Sequence, residues 1–342
     1  MIPIPTPDAA ARADVRRRLD GKTKPRGSLG RLEELAVAVA GIQGTSRPDV
    51  QKKAVVVMAA DHGVADEGVS AYPADVTRQM VLNFASGGAA VCVLARQAGA
   101  DVVVVDMGCR VAPGGVLDRR LGPGTASITR GPAMSVDQAR RGLEAGIEIA
   151  RGLAAKGVRL IGLGDMGIGN TTSSSALAAA FLGASPEDVT GRGTGVDDAG
   201  WKRKVDAVRR ALEVNRPDPS DGLGTLAKLG GFEIAGLAGV ALGAAASRVP
   251  VVVDGLIATA AAFAAFKIAP ALAGFLIPSH RSVERAHPAL LEAMGLRPLF
   301  DLEMRLGEGT GAALAMHLVE ASIRILDEMA TFESAGVSDT GK

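Results

Sequence analysis

One stretch of sequence decides the fold: Val158-Arg-Leu-Ile-Gly-Leu-Gly-Asp-Met-Gly-Ile-Gly-Asn-Thr-Thr172. Its apolar start indicates a buried strand, and the Ser- and Ala-rich residues after the glycines indicate a helix. Similar apolar runs end in Gly or Asp at 54–60, 101–105, 249–253 and 273–277, with a weaker candidate at 297–301. Helical stretches separate these runs. The sequence therefore predicts an α/β protein with a Rossmann-like parallel sheet of about six strands flanked by helices.

The two ends of the chain have a different pattern. Residues 8–19 and 28–42 have helical spacing, and residues 309–332 form one long amphipathic stretch. These segments lack the buried β-branched runs of the centre. We therefore expect a large α/β domain over residues 45–305, which carries the functional site. A small helical domain is expected from residues 1–44 together with residues 306–342.

Charge and aromatic content exclude several classes of partner. The 342 residues include 38 basic and 37 acidic side chains, so a net charge of +1 provides no field that attracts nucleic acid or an anionic membrane. One Trp, one Tyr and eight Phe offer little surface for stacking nucleic-acid bases. Cys92 and Cys109 are too few for a disulfide framework or a zinc cluster. We expect a compact protein of the reducing cytoplasm, without a nucleic-acid partner.

The most apolar region, residues 230–278, is not expected to cross a membrane. A bilayer span needs about 20 uninterrupted apolar residues. Charged residues divide the region into shorter pieces, and they are Glu233, Arg248, Asp254 and Lys267. The first residues of the chain also contain no apolar signal segment. A buried α/β core explains the composition better, and no membrane partner is predicted.

Polar side chains follow the predicted strands, at the edge where parallel sheets place their ligands. They are Asp61, His62, Asp106, Asp165, Asp254, the run 279–282 and Glu308. A single Asp after a strand is commonly a helix cap, but so many positions on one edge favour a pocket. The histidines are too scattered to predict a metal site, and we expect neither a metal nor another cofactor.

The glycine run contains G-x-G-x-x-G directly after a strand, the fingerprint of dinucleotide binding. That interpretation also needs an acidic residue at the end of a second strand about 20 positions on, and none is present. A simpler anion site remains, in which the helix start at 170–172 presents free N–H groups. Lys202 and Lys204 could add positive charge, although a solvated helix face suits Lys202 better.

Glu308 lies in Arg305-Leu-Gly-Glu-Gly-Thr-Gly311, at the mouth of the last long helix. It could be an acid that complements the positive end of the helix dipole. It could equally be a general base whose flanking glycines let a substrate approach the backbone. The residues alone leave these two interpretations open.

Taken together, the motifs resemble the nicotinate-nucleotide–dimethylbenzimidazole phosphoribosyltransferase family. The resemblance runs from about residue 20 to 330, in family order. Its segments are Lys24-Pro-Arg-Gly-Ser-Leu-Gly-Arg-Leu-Glu33, Ala60-Asp-His-Gly-Val64, Val76-Thr-Arg-Gln-Met80, Gly167-Ile-Gly-Asn-Thr-Thr172, Gly191-Arg-Gly-Thr-Gly195, Val253-Asp-Gly255, Ser279-His280 and Leu306-Gly-Glu-Gly-Thr-Gly311. Each segment alone is weak, but together they are specific.

The resemblance implies an enzyme of cobalamin nucleotide-loop assembly. Such an enzyme moves the 5-phosphoribosyl group of nicotinate mononucleotide to 5,6-dimethylbenzimidazole or a related base, giving α-ribazole 5'-phosphate and nicotinate. The resemblance makes Glu308 the general base. It implies substrate contacts at Gly167, Asn170, Thr171, Gly193 and Lys204 for the phosphate and nucleotide, at Ser70 and Gln79 for the base, and at Asp254 and Ser282 near the ribose.

One position departs from the family pattern. The family usually has Glu where this chain has Asp165, and Asp is shorter by one C–C bond, about 1.5 Å. We therefore expect Asp165 to be an auxiliary carboxylate that acts through water and shifts which base is preferred. The scarcity of aromatics predicts an aliphatic and Met-lined base pocket that tolerates more than one base. Tyr72 and Phe84 are the nearest aromatic candidates.

The resemblance also implies a homodimer, with the segment 22–31 reaching the partner's site. Two alternatives to the enzyme remain at this stage. A non-catalytic nucleotide-binding or regulatory protein on the same fold would keep the phosphate loop but could dispense with Glu308 and Gln79. An NAD-dependent dehydrogenase would bind NADH, which a fluorescence titration detects.

Overall fold

A six-stranded parallel sheet organises this computed structural model, which describes residues 2–338. Its strands are β1 (Lys53–Ala60), β2 (Ala100–Gly108), β3 (Leu117–Asp118), β4 (Leu160–Met166), β5 (Val251–Val253) and β6 (Leu276–Pro278). They lie in the order β3-β2-β1-β4-β5-β6, and every neighbouring pair is parallel. This is the doubly wound order of Rossmann-like folds. The predicted fold class is confirmed.

The weaker strand candidate at 297–301 is wrong, and the sixth strand is β3 instead. Phe300 forms only an isolated bridge with His280. Pro298 has no N–H to donate to a ladder, and the Phe300 carbonyl accepts a hydrogen bond from Arg281 N at 2.8 Å, in the loop after β6. Strand β3 has two exposed residues and pairs only with β2, so no apolar run marks it in the sequence.

Helices cover both faces of the sheet. The α-helices are α1 (Ala9–Asp20), α2 (Arg31–Gln43), α3 (Val76–Ala85), α4 (Ala90–Ala98), α5 (Val136–Ala155), α6 (Asn170–Leu182), α7 (Pro186–Val189), α8 (Asp198–Asn215), α9 (Gly222–Leu229), α10 (Phe232–Ala246), α11 (Leu256–Ile268), α12 (Ala286–Ala293), α13 (Thr310–Glu328) and α14 (Phe332–Ala335). Two 3-10 segments, Gly63–Glu67 and Pro270–Phe275, complete the elements. No helix among residues 2–338 is both long and apolar enough to span a bilayer.

The sheet divides the core into two layers. All eight residues of β1 are buried, because helices pack on both of its faces. Val56 and Met58 belong to the layer shared with α10, whereas Val55 and Val57 belong to the layer shared with α13. This alternation follows from the two-residue period of a strand. An uninterrupted apolar run is therefore the correct signature of β1.

Helix α10 lies so close to α5 that only glycine fits at their crossing. A Cβ on Gly146 would overlap the carbonyl oxygen of Gly236, and a Cβ on Gly239 would overlap that of Leu143. Part of the high glycine content therefore comes from helix packing rather than from ligand loops.

The two ends of the chain meet on one face of the sheet. Helices α1 and α2 pack on each other and on α13, and α13 itself packs against β4 and β5. Lys22 bridges Thr331, and Arg18 forms an ion pair with Asp327 at 2.9 Å. Because α13 also covers the sheet, the terminal helices share a core with the central strands. The division into two domains stays a prediction.

Candidate active site

The site lies at the carboxyl ends of β1, β4 and β5, where the strand order reverses. The chain goes from β1 outward to β2 and β3, and from β4 outward to β5 and β6. Loops leaving β1 and β4 in opposite directions open a crevice, the usual ligand position in this fold. His62 follows β1, Gly167 follows β4 and Asp254 follows β5. The predicted convergence of these loops is therefore compatible with the observed topology.

Glu308 sits in a loop with an unusual backbone. Gly307, Glu308 and Gly309 have φ values of 81°, 65° and 91°, all in the left-handed region. A non-glycine residue is uncommon there, and such strain persists only when the surroundings impose it. The Glu308 side chain is buried, and its Oε2 has no hydrogen-bond partner among residues 2–338. The loop thus holds a carboxylate with a free oxygen in a fixed place.

Asp254 imposes this loop conformation. Its carboxylate accepts hydrogen bonds from the N–H groups of Gly309 at 2.9 Å, Gly311 at 2.7 Å and Ala312 at 3.1 Å. These N–H groups belong to the first turn of α13, where the helix leaves its donors unsatisfied. Burial raises the pKa of Asp254 to about 6, although these same hydrogen bonds lower it. Both oxygens are engaged by the helix, and the predicted ribose contact of Asp254 stays a prediction.

Strand β4 brings the Glu308 loop close through its glycines. A Cβ on Gly164 would overlap the carbonyl oxygen of Glu308 and lie 2.8 Å from its carbonyl carbon. A side chain at this position would therefore push the loop away from the strand. Gly164 is therefore required by the close approach of the Glu308 backbone, in addition to any role toward a ligand.

Asp165 lies beside this loop at the end of β4. A Cβ on Gly307 would be 3.3 Å from Asp165 Oδ1, an oxygen without a hydrogen-bond partner among the described residues. Asp165 Oδ2 accepts a hydrogen bond from Asn170 Nδ2 at 2.9 Å. The pKa of Asp165 is held well above its usual range, chiefly by burial. The charges of neighbouring carboxylates, led by Asp254, add to the rise. Asp165 therefore binds a proton more tightly than an ordinary aspartate does.

Glu308 has a proton affinity suited to catalysis near neutral pH. Burial raises its pKa to about 7, and the Asp254 carboxylate adds to the rise. A general base works best when its pKa lies near the working pH, provided that it reaches the proton it must accept. A buried carboxylate with this pKa and a free oxygen has the properties that a general base requires, and the general-base role stays a prediction.

The glycine loop at 191–195 and the start of α6 pack around a buried lysine. Lys204, on α8, is 1% exposed, and its Nζ donates to Thr171 Oγ1 at 2.9 Å. A Cβ on Gly193 would lie 2.6 Å from Lys204 Nζ. Asn170, the first residue of α6, reaches back to Asp165. Lys204, Thr171 and Gly193 thus come together, while Lys202 is exposed on the same helix.

His62 packs against the glycine loop after β4 and is hydrogen-bonded to Glu233. His62 is 1% exposed, with Nε2 2.6 Å from Glu233 Oε1 and Nδ1 3.0 Å from Ser173 Oγ. A Cβ on Gly167 would be 3.2 Å from the His62 ring. Sequence reasoning missed Glu233 and Ser173 here. The signal was available for Glu233, since it is a lone charge in an apolar helix.

Of the residues predicted for the base and ribose, Ser70 and Ser282 lie on loops, and Gln79 lies on α3. Ser70 is half-buried, with its Oγ 3.1 Å from Thr194 Oγ1, so the loop before α3 meets the loop at 191–195. Gln79 is exposed on α3, a helix tied to the glycine loop by the hydrogen bond from Ile168 N to Thr77 Oγ1 at 3.0 Å. Ser282 is buried and its N–H donates to His287 Nδ1 at 3.1 Å.

The two aromatic candidates differ in position. Phe84 is buried in the core layer that contains α13, and Tyr72 is 56% exposed. Within residues 2–338, no group of three or more His, Cys, Asp or Glu side chains is arranged to hold a metal ion.

Comparison with known proteins agrees with these features. A family model described as phosphoribosyltransferase matches residues 4–337. Nicotinate-nucleotide–dimethylbenzimidazole phosphoribosyltransferase of Roseiflexus sp. (strain RS-1) is 58% identical over 334 residues, covering 97% of this chain and 95% of the relative. The protein of that name from Geobacter metallireducens is 54% identical over 333 residues, covering 96% and 94%.

A solved structure extends the similarity to three dimensions. The crystal structure of the enzyme of that name from Thermus thermophilus has a TM-score of 0.91 and 48% sequence identity with this chain. The matched region covers 97% of this chain and 99% of the Thermus thermophilus chain. Sequence identity above one half over nearly the whole length, with the same fold, leaves one conclusion. The chain belongs to the nicotinate-nucleotide–dimethylbenzimidazole phosphoribosyltransferase family.

Proposed function

We propose that this chain transfers the 5-phosphoribosyl group of nicotinate mononucleotide to 5,6-dimethylbenzimidazole or a related base, giving α-ribazole 5'-phosphate and nicotinate. The observation that carries the proposal is Glu308, a buried carboxylate with a free oxygen on a loop held by Asp254. A protein that only bound nucleotides would not need this arrangement. The family of the chain supports the same reaction.

The proposed chemistry needs a base and no general acid. A ring nitrogen of the incoming benzimidazole attacks the anomeric carbon from the face opposite nicotinate, so the β-nucleotide gives an α-product. The bond to nicotinate breaks, and its electrons stay on the pyridine nitrogen, which leaves uncharged. The benzimidazole N–H loses its proton to Glu308. Nearby carboxylates, among them Asp165, ease the positive charge that develops on the sugar.

The phosphate of the nucleotide is assigned to the pocket of Gly167, Thr171, Gly193 and Lys204. The start of α6 provides N–H groups and Lys204 provides a buried charge. Ser70 and Gln79 are proposed to border the base, with Ser282 and Asp254 near the ribose. Asp165 is proposed to act through water, since its Oδ1 has no partner among the described residues.

A direct assay tests the function. The protein is incubated with nicotinate mononucleotide and 5,6-dimethylbenzimidazole, and released nicotinate and the ribotide are separated by chromatography. Equal amounts of both products are expected. The absence of product with this base, with other benzimidazoles, with adenine and with phenolic acceptors would overturn the proposal. A fluorescence titration with NADH serves as the control for dehydrogenase-type binding.

The rate should depend on the protonation of Glu308. Glu308 accepts a proton only as a carboxylate, and its pKa is raised to about 7. We therefore expect kcat to be low at acidic pH, to rise through about pH 7 and to level off above it. The profile is repeated with a benzimidazole carrying an electron-withdrawing group, whose own protonation occurs at lower pH. A rising limb that moves with the base would contradict the assignment to Glu308.

Replacing Lys204 should weaken nucleotide binding selectively. A hydrogen bond to a charged group contributes roughly 1.5–3 kcal/mol, so Lys204→Ala should raise the KM for nicotinate mononucleotide about 10- to 100-fold. The KM for the base should change little. Lys202→Ala is the matched control, because Lys202 is exposed on the same helix. Equal effects of the two substitutions on the nucleotide KM would refute the pocket assignment.

Three further proposals concern the whole protein. We propose a homodimer on the basis of the family resemblance, with residues 22–31 near the partner's site, and light scattering after size exclusion tests it. A cytoplasmic location is supported by Cys92 and Cys109, which are both unpaired. The division into residues 45–305 and the two ends is tested by expressing the central segment alone and measuring whether it unfolds cooperatively.

A further inference from the structure

Burial makes the charged form of Lys204 unfavourable. An ammonium group has three donors, and the described contacts use one of them, to the neutral Thr171 hydroxyl. Burial disfavours the charged form of a lysine and lowers the pKa of Lys204 to about 8. A phosphate is bound by the charged form, so a nearby negative charge that favours protonated Lys204 would extend phosphate binding to higher pH.

Glu284 has the position and the chemistry to provide that charge. It is 6% exposed, and its Oε2 has no hydrogen-bond partner among residues 2–338. A Cβ on Gly191 would overlap this carboxylate, just as a Cβ on Gly193 would crowd Lys204 Nζ. The two buried side chains therefore press against the same glycine loop, and the Glu284 charge raises the proton affinity of Lys204.

Several other charged groups around α8 have partners, whereas Lys202 and Glu213 on the helix itself are exposed. Three ion pairs join residues of α8 to neighbouring segments of the chain. They are Glu67 with Arg210, Glu187 with Arg209, and Arg192 with Asp198. Helix α9 contributes Asp221, which caps its own helix, and Lys228, which donates to the Arg216 carbonyl. Arg285 lies over the Trp201 ring. Among residues 2–338, Glu284 is a buried carboxylate beside this glycine loop whose Oε2 has no hydrogen-bond partner.

We propose that Glu284 is a positioning residue for the nucleotide phosphate, which keeps Lys204 protonated in the empty site and so maintains phosphate affinity at alkaline pH. Glu284 acts through Lys204 rather than by touching the phosphate, which its own charge would repel. The proposal rests on the proposed function, because it takes the ligand of this pocket to be the 5'-phosphate of a nucleotide. It adds a residue that the family motifs did not single out.

The test measures the dissociation constant of nicotinate mononucleotide by calorimetry, without the base, from about pH 6.5 to 9.5. For the unmodified protein, Kd should be constant up to about pH 8 and rise tenfold per pH unit above it. In Glu284→Gln this rise should begin at least about one pH unit lower, because an adjacent charge shifts a pKa by about 1–3 units. At the acidic end, the variant should bind as tightly as the unmodified protein or more tightly.

Matched variants separate this role from a structural one. Lys204→Arg should make Kd independent of pH over this range, since a guanidinium stays charged, and adding Glu284→Gln to it should restore no pH dependence. Glu292→Gln removes an exposed carboxylate on α12 and should leave the profile unchanged. If Glu284→Gln does not fold, Glu284→Asp should give a smaller shift in the same direction.

Two results would overturn the inference. One is a weakening of binding by Glu284→Gln that is the same at every pH, which indicates a structural role. The other is an unchanged profile in Glu284→Gln, or in Glu284→Asp where that variant replaces it. Failure of the proposed function is a different result, since an unmodified protein that binds the nucleotide but yields no ribotide leaves the binding comparison intact.

Discussion

Glu308→Gln is expected to lower kcat for base exchange by about 100- to 10,000-fold, the usual contribution of a positioned general base. Glutamine has nearly the same size as glutamate but cannot accept a proton. The loop should keep its shape, because Asp254 holds it through backbone N–H groups rather than through the Glu308 side chain. The KM for nicotinate mononucleotide should therefore change only a few-fold, and the rise of kcat through about pH 7 should disappear.

Asp165→Asn is the control variant against which the loss of kcat in Glu308→Gln is compared. Asp165 is buried beside the same loop, and its pKa is held well above the usual range by burial and by neighbouring carboxylates. Asp165 already accepts a hydrogen bond from Asn170, and we expect its carboxylate to assist through water rather than to take the proton of the base, so the loss of kcat should be much smaller. Steady-state kcat is measured for both variants at saturating substrates. Equal losses would refute the ranking of Glu308 above Asp165.

The identity of the base tests Asp165 in a second way. Its Oδ1 has no partner among the described residues, and we propose that it acts through water. Asp165→Glu should place the carboxylate about 1.5 Å further into the crevice and change the relative kcat/KM of competing bases.

The sequence predicted the strands whose two faces are both buried, and it failed where pairing is marginal. The run at 54–60 became β1 because its apolar residues fill both core layers. Strand β3 has only two exposed residues, so its pairing with β2 depends on the tertiary fold. The run at 297–301 looked similar but contains a proline and pairs through one bridge. Local pattern cannot distinguish these cases.

Site residues show the same limit. Lys204 was predicted as part of the phosphate pocket, yet its counter-charge Glu284 lies far along the chain and only the fold brings them to one loop. The glycines were interpreted as ligand loops, and for Gly193, which packs against Lys204 Nζ, that interpretation stays a prediction. Gly146 and Gly239 instead allow α5 and α10 to cross, which a single sequence does not reveal.

Gly164→Ala is expected to reduce kcat at least about 100-fold although it adds only a single methyl group. The new Cβ would overlap the carbonyl oxygen of Glu308, and a backbone atom cannot rotate away as a side chain does. The loop must move by roughly 1 Å, and a displacement of that size at a reacting group costs about 100-fold. Because Glu308 already has a positive φ between two glycines with positive φ, moving the loop should add strain and also lower Tm.

Gly162→Ala on the same strand provides the matched control. The three atoms nearest to its Cβ would all belong to side chains, with the Met316 methyl at 3.0 Å and Ala312 Cβ at 3.1 Å the closest. Overpacking of this kind typically costs about 1–3 kcal/mol of stability, so Tm should fall in this variant too. Its kcat should stay close to that of the unmodified protein, because the Glu308 backbone is not touched. If the two variants lose kcat in proportion to their loss of Tm, general destabilisation explains the result. A loss of kcat confined to Gly164→Ala would show that contact with β4 fixes the position of the Glu308 backbone. The reason is that the methyl group added at Gly164 meets that backbone, whereas the nearest neighbours of the one added at Gly162 are side chains.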